Sequence, residues 1–139
     1  MKKTKIIFWT STIFLFLFEG IMPLSTLLFM PQYTNAGTKP LGYPDYFAVA
    51  LIICKVLGAL AIILPSVPAR VREWAYAGLT FNLIFAIISH AAVDGNIGFI
   101  LMPVGIMAIL ALSYFSQYSV QITGSRKQKH NTAILESMA

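Results

Sequence analysis

Residues 46–64 read YFAVALIICKVLGALAIIL, nineteen positions with a single formal charge, on Lys55. A run of this length matches the ~20 apolar residues that a helix needs to cross a ~30 Å hydrocarbon core. In lipid a helix satisfies its own backbone hydrogen bonds. The β-branched residues do not argue for a strand, because the run is too long and shows no period-2 alternation. Three further runs, at about 6–29, 71–93 and 97–118, have the same character. A membrane barrel would instead need many short alternating segments. The prediction is an all-α membrane protein, a four-transmembrane-helix bundle.

Composition agrees. Of 139 residues, 58% are hydrophobic and 11% charged, and the mean hydropathy is +0.76. Soluble domains are about 45–50% apolar and about 25% charged, and a chain this short must leave much of its surface exposed. That exposed surface has to be apolar, so the lipid bilayer is its solvent and partner. One membrane domain over about 1–120 fills the chain, followed by a polar, basic tail over 121–139. The tail is expected to be loose, with room for a short helical turn at 133–135. Pro31, Gly37, Pro40, Gly42 and Pro44 punctuate the first connection, Pro65 and Pro68 the second, and Asp94, Gly95 and Asn96 the third.

Basic residues set the orientation. Lys2, Lys3, Lys5, Arg70, Arg72, Arg126, Lys127 and Lys129 fall on one side, and Lys39 alone on the other. The positive-inside rule then places both termini in the cytoplasm. The net charge of +5 follows from topology, and three basic residues in the tail without interleaved aromatics do not make a nucleic-acid surface. A cleaved signal peptide fits poorly, although Thr34-Asn35-Ala36 faintly resembles a cleavage site. The first apolar run exceeds the ~7–15 residues of a signal core and carries Glu19.

Glu19, Lys55 and His90 lie inside apolar runs, where a charge costs about 2.5–3.5 kcal/mol on insertion scales. Glu19 lies ten residues before Phe29, and Lys55 nine residues after Tyr46. At 1.5 Å per residue both sit about 14–15 Å below the outer ends of adjacent antiparallel helices. The depths match, so the two are predicted to pair within about 6 Å. Two readings of the pair stay open, a structural staple and a functional centre. Thr12, Glu19 and Thr26 recur every seven residues along one stripe, and Ala75, Gly78, Asn82, Ala86 and Ser89 form a small-residue face. Such a face permits close helix contact, with Asn82 able to hydrogen-bond across it or to line a polar pocket.

His90 lies near the outer end of the third run with Asp94 four residues on, a spacing that lets a carboxylate hold an imidazole in one tautomer. It can serve as a proton shuttle, a quinone ligand or an interfacial histidine. Glu73 suits a helix N-terminus, where Arg70 or Arg72 can pair with it. Glu73, Asn82 and Asp94 are thus the further candidates for a polar pocket. Haem is disfavoured, since the only other histidine, His130, lies in the tail. No metal is expected, because no cluster has the ligand count of a zinc or iron–sulfur site. Cys54 is the only cysteine, so no intramolecular thiol relay exists. It is expected to be a buried, inert thiol.

Leu41-Gly42-Tyr43-Pro44, Lys55-Val56-Leu57-Gly58-Ala59, Leu64-Pro65, Glu73-Trp74-Ala75-Tyr76-Ala77-Gly78 and Ser89-His90 together resemble the DoxX-like family of small four-helix membrane proteins. The resemblance covers about residues 5–118. One departure stands out: where the family looks like Gly-x-x-Lys-Leu, this chain has Gly20-Ile21-Met22-Pro23-Leu24. Any role of that lysine is therefore in doubt here, and Pro23 is expected to kink the helix above Glu19.

The family name derives from a membrane subunit of a thiosulfate:quinone oxidoreductase, and wider relatives are linked to redox balance, membrane-protein assembly and cargo handling. The resemblance implies a bacterial inner-membrane protein, with quinone as the cofactor to test and a membrane-protein partner or a second copy as associate. The alternative is a non-enzymatic scaffold or assembly factor whose buried charges only stabilise the bundle. A carrier or proton path is weaker, since four helices without repeats make a poor transporter.

Overall fold

A computed structural model describes residues 2–139. Among them no strand occurs, and four helices are long and apolar enough to cross a membrane. The first span, Lys2–Phe29, is interrupted. It comprises α1 (Lys2–Leu15), a π-helical turn (Phe16–Ile21) and α2 (Met22–Phe29). Then come α3 (Asp45–Ile63), α4 (Ala69–Val93) and α5 (Ile97–Met138). Pro44 and Pro68 stand just before α3 and α4, and Pro31 is the first residue of a short 3-10 turn after α2, positions where a missing N–H costs nothing.

The π turn is how the chain absorbs Pro23. Proline lacks an N–H, and its ring would press on the carbonyl four residues back, which belongs to Glu19. The helix widens instead, and the Met22 N–H bonds to the Leu17 carbonyl five residues behind. The expected disturbance above Glu19 is therefore a local widening. One extra residue in the turn rotates the upper part of the helix by about 100°. Thr12 and Glu19 accordingly stay on the buried face, while Thr26 turns half outward and bonds to its own Met22 carbonyl at 3.1 Å.

Leu15, Ile62, Tyr76, Leu79, Leu83, Ile106 and Leu110 form the core. Only 17–22% of the most apolar window of each spanning helix is buried inside the chain. The remainder, including Phe29, Leu57, Phe81 and Phe115, is left for lipid. Lipid tails are as apolar as leucine, so close packing and internal polar contacts must hold the helices together. Two glycines show this packing. A Cβ on Gly20 would stand 3.0 Å from the Ala59 Cβ, and one on Gly58 would stand 3.3 Å from Leu79.

Two expectations are corrected. The buried stripe of α4 is Arg72, Tyr76, Leu79 and Leu83, not the small-residue face beside it. A Cβ on Gly78 of that face would meet nothing within 4 Å, and the residue lines a groove. The chain beyond Gly124 continues α5 as an exposed helix to Met138. Thr123 and Thr132 each bond back to the carbonyl four residues earlier, so these polar side chains are accommodated on the helix without needing a core.

Candidate functional site

The π turn buries Glu19 to 3% side-chain exposure, and α3 brings Lys55 Nζ to 3.0 Å from Glu19 Oε2. The pairing predicted from depth is thus present. No hydrogen bond of good angle reaches Oε2, so the contact is an ion pair with the ammonium. Lys55 itself is 22% exposed. Its other side borders a groove of about 500 Å³ between α3 and α4. Asn82, Gly58, Gly78, Leu51 and Trp74 help to line that groove. Cys54 also lies there and is exposed, against the expectation of a buried thiol. The inward stripe of α3 is Ala48, Ile52, Ala59 and Ile62, and residue 54 falls off it.

His90 is not brought to this centre, since the groove that Lys55 lines includes neither Glu19 nor His90. It lies at the opposite end from the termini, with Nδ1 2.9 Å from Asp94 Oδ2 and its ring 5.4 Å from that of Phe99. The His90 hydrogen bond, more than any other influence, holds the Asp94 carboxyl below its ordinary range. A depressed carboxyl stabilises the fold fully above its unfolded pKa, and that contribution is lost as pH falls through the folded value. The turn at residues 94–96 should therefore stay closed above about pH 4 and loosen below it. Amide exchange at Asn96, whose N–H donates to Asp94 Oδ1 at 3.2 Å, measures this. Asp94→Asn should abolish the pH dependence.

Glu73 does not pair with Arg70 or Arg72. It lines a separate cavity of about 380 Å³ between α4 and α5, with Tyr76, Thr80 and Tyr114. Arg72 points the other way, donating from Nη2 to the carbonyls of Leu64 (2.9 Å), Val67 (3.3 Å) and Pro65 (3.4 Å). On sequence alone Arg72 is a topology charge and a candidate partner for Glu73, so its bonds to the connection between α3 and α4 come from the structure.

Sequence reasoning also missed a polar triad across three helices. Ser113 Oγ lies 2.7 Å from both Thr12 Oγ1 and Tyr76 Oη, and Thr12 and Ser113 have no exposed surface. One turn nearer the termini, Arg72 Nε and Gln117 Oε1 are buried without hydrogen-bond partners. Ser113 and Gln117 stand four residues apart on α5, a signal that helical spacing carries.

Four spanning helices around a buried ion pair define a multi-pass membrane protein with a polar centre. The pattern of the DoxX-like family matches residues 7–113, and the chain belongs to that family. No curated protein and no solved structure matches it. The segments that carry the resemblance have visible structural work. Gly42 adopts φ +86°, open to glycine but strained for other residues. Tyr43 Oη lies 2.7 Å from Ser89 Oγ, tying the first connection to α4. The Leu64 and Pro65 carbonyls receive Arg72. Among the described residues no group of three His, Cys, Asp or Glu side chains could hold a metal.

Proposed function

We propose that this DoxX-like protein resides in the bacterial inner membrane with both termini in the cytoplasm. There it acts as a membrane subunit or partner in quinone-linked redox or stress physiology. The groove between α3 and α4 receives the polar head of a lipid-soluble molecule such as a quinone. One observation carries this reading: Lys55 touches buried Glu19 at 3.0 Å and lines the groove with Asn82. The donor set fits a quinone head, since an ammonium and a carboxamide can each donate to a carbonyl oxygen. Glu19 holds Lys55 Nζ in place at 3.0 Å, and Leu51 and Leu57 give the groove an apolar wall beside it. A bound quinone would supply the electron chemistry, with a partner as the other half of the couple. The eight basic residues on one side against Lys39 support the orientation.

Purification in mild detergent with mass spectrometry of bound molecules and partners tests the proposal, and an absorption spectrum checks for haem or flavin. Quinone is expected with the wild type. Gly78→Leu puts a side chain into the groove at a position where a Cβ meets nothing within 4 Å and should cut quinone occupancy by about tenfold, a cost of about 1.4 kcal/mol. Equal occupancy in the variant, or none in wild type even after quinone is added, overturns the reading.

The scaffold reading draws its support from a different observation. Glu19–Lys55 and Thr12–Ser113–Tyr76 each join different helices through buried polar contacts, which is what a bundle in lipid needs for cohesion. On that reading Gly78→Leu leaves every measured property unchanged.

A further inference from the structure

At the end of the bundle that holds both termini, α1 and α5 enclose a cavity of about 370 Å³. The antiparallel register fixed by Thr12 and Ser113 carries through to this end. Lys2, Thr4 and Lys5 of α1 line the cavity with Ser119, Thr123 and Lys127 of α5. The continuation of α5 beyond the apolar run is what sets Lys127 over the start of α1. Three lysines thus line one cavity, and among the described residues no carboxylate lies within ion-pair distance of any of them. The hydroxyls of Ser119 and Thr123 are already donated to α5 carbonyls, so they cannot also donate to a ligand. The positive charge is therefore the feature without an internal partner.

The cavity also has a membrane side. Ile6 of α1 and Phe115 of α5, exposed on the spanning helices, stand close in sequence to the lysine and hydroxyl residues that line it. A basic pocket between helices at the membrane surface matches the charge and placement of phospholipid phosphates. We propose that Lys2, Lys5 and Lys127 form a binding site for the phosphate of an anionic phospholipid, whose acyl chains lie on the apolar faces of α1 and α5. Free phosphate shares the head chemistry but lacks the chains, so the lipid is the ligand that uses both parts of the site. The site is separate from the Lys55 groove and stands whatever that groove binds.

The test uses the full chain in mild detergent and native mass spectrometry with phosphatidylglycerol, cardiolipin or phosphatidylcholine. Wild type should retain the two anionic lipids in preference to phosphatidylcholine. Each lysine near a charged surface is worth roughly fivefold, so the triple variant Lys2→Gln/Lys5→Gln/Lys127→Gln should lose about a hundredfold. The triple Lys→Arg variant should retain binding, as should Lys39→Gln at the opposite end. The thermal midpoint in phosphatidylcholine should be the same for all variants, because these side chains are exposed and, among the described residues, form no ion pair. Equal anionic-lipid retention in wild type and the triple Gln variant overturns the proposal, as does equal retention of phosphatidylcholine. Displacement of the lipid by excess inorganic phosphate overturns it in favour of a free-anion site.

Discussion

Lys55→Met is expected to cost the folded protein about 3–5 kcal/mol, because breaking a buried pair strands an uncompensated charge. Glu19 is 3% exposed and Lys55 is its ion-pair partner, so the carboxyl must take up a proton or drag water into the bundle. At about 1.4 kcal/mol per factor of ten, the folded fraction falls by roughly two to four powers of ten. Denaturation in increasing SDS, followed by circular dichroism, measures it. A Lys55→Met variant within about 1 kcal/mol of wild type would sink the idea that the pair is desolvated.

The double variant Glu19→Leu/Lys55→Met separates staple from functional centre. Replacing both charges by apolar groups of similar volume removes the desolvation cost along with the attraction, so stability should return close to wild type. The refolded double variant can then be examined for quinone. Loss of quinone with the fold restored assigns the pair to binding. Retention leaves it a staple, and another donor lining the groove, such as the Asn82 carboxamide, would then hold the head.

Lys55 and Glu19 were legible in the sequence because depth along a helix is a matter of counting, and an antiparallel neighbour leaves few ways to neutralise two charges. The four spans were legible for a similar reason, since hydrocarbon thickness fixes their length. His90 with Asp94 needed only helical spacing. The groove was harder to foresee. Asn82 and Gly78 belong to one small-residue face, but whether such a face packs or opens depends on how α3 crosses it, which no local pattern encodes. The π turn has a visible cause in Pro23, yet its effect on Thr26 emerges only once the helix widens rather than breaks. Ser113 was missed because serine is common in spanning helices, and its two partners lie on other helices. The tail shows the limit of composition: polarity announces exposure, and an exposed segment can still be helical.

Arg72→Met should lower stability by about 2–3 kcal/mol, the scale of a hydrogen bond from a charged donor. The end of α3 leaves carbonyls without intrahelical partners. Arg72, 9% exposed, reaches from the next helix to the carbonyl of Leu64, which caps α3, and to those of Pro65 and Val67 in the connection. A cation at a helix C-terminus is also favoured by the helix dipole. One side chain therefore closes the short connection and locks α3 to α4, the two walls of the Lys55 groove. Removing it should expose residues 64–68 to limited proteolysis as well as lower the thermal midpoint. Arg72→Lys keeps the charge but loses the planar fork that spans several carbonyls, and it should recover about half of the loss. Seven basic residues remain on that side of the chain in Arg72→Met, so orientation should be unchanged by the same positive-inside rule. A proteolysis pattern at 64–68 identical to wild type would show that Arg72 contributes charge alone. With orientation preserved and the connection loosened, the variant also reports on the groove. If α3 and α4 must be held at a fixed separation to grip a head between Lys55 and Asn82, quinone occupancy falls with Arg72→Met even under conditions where the bundle remains folded.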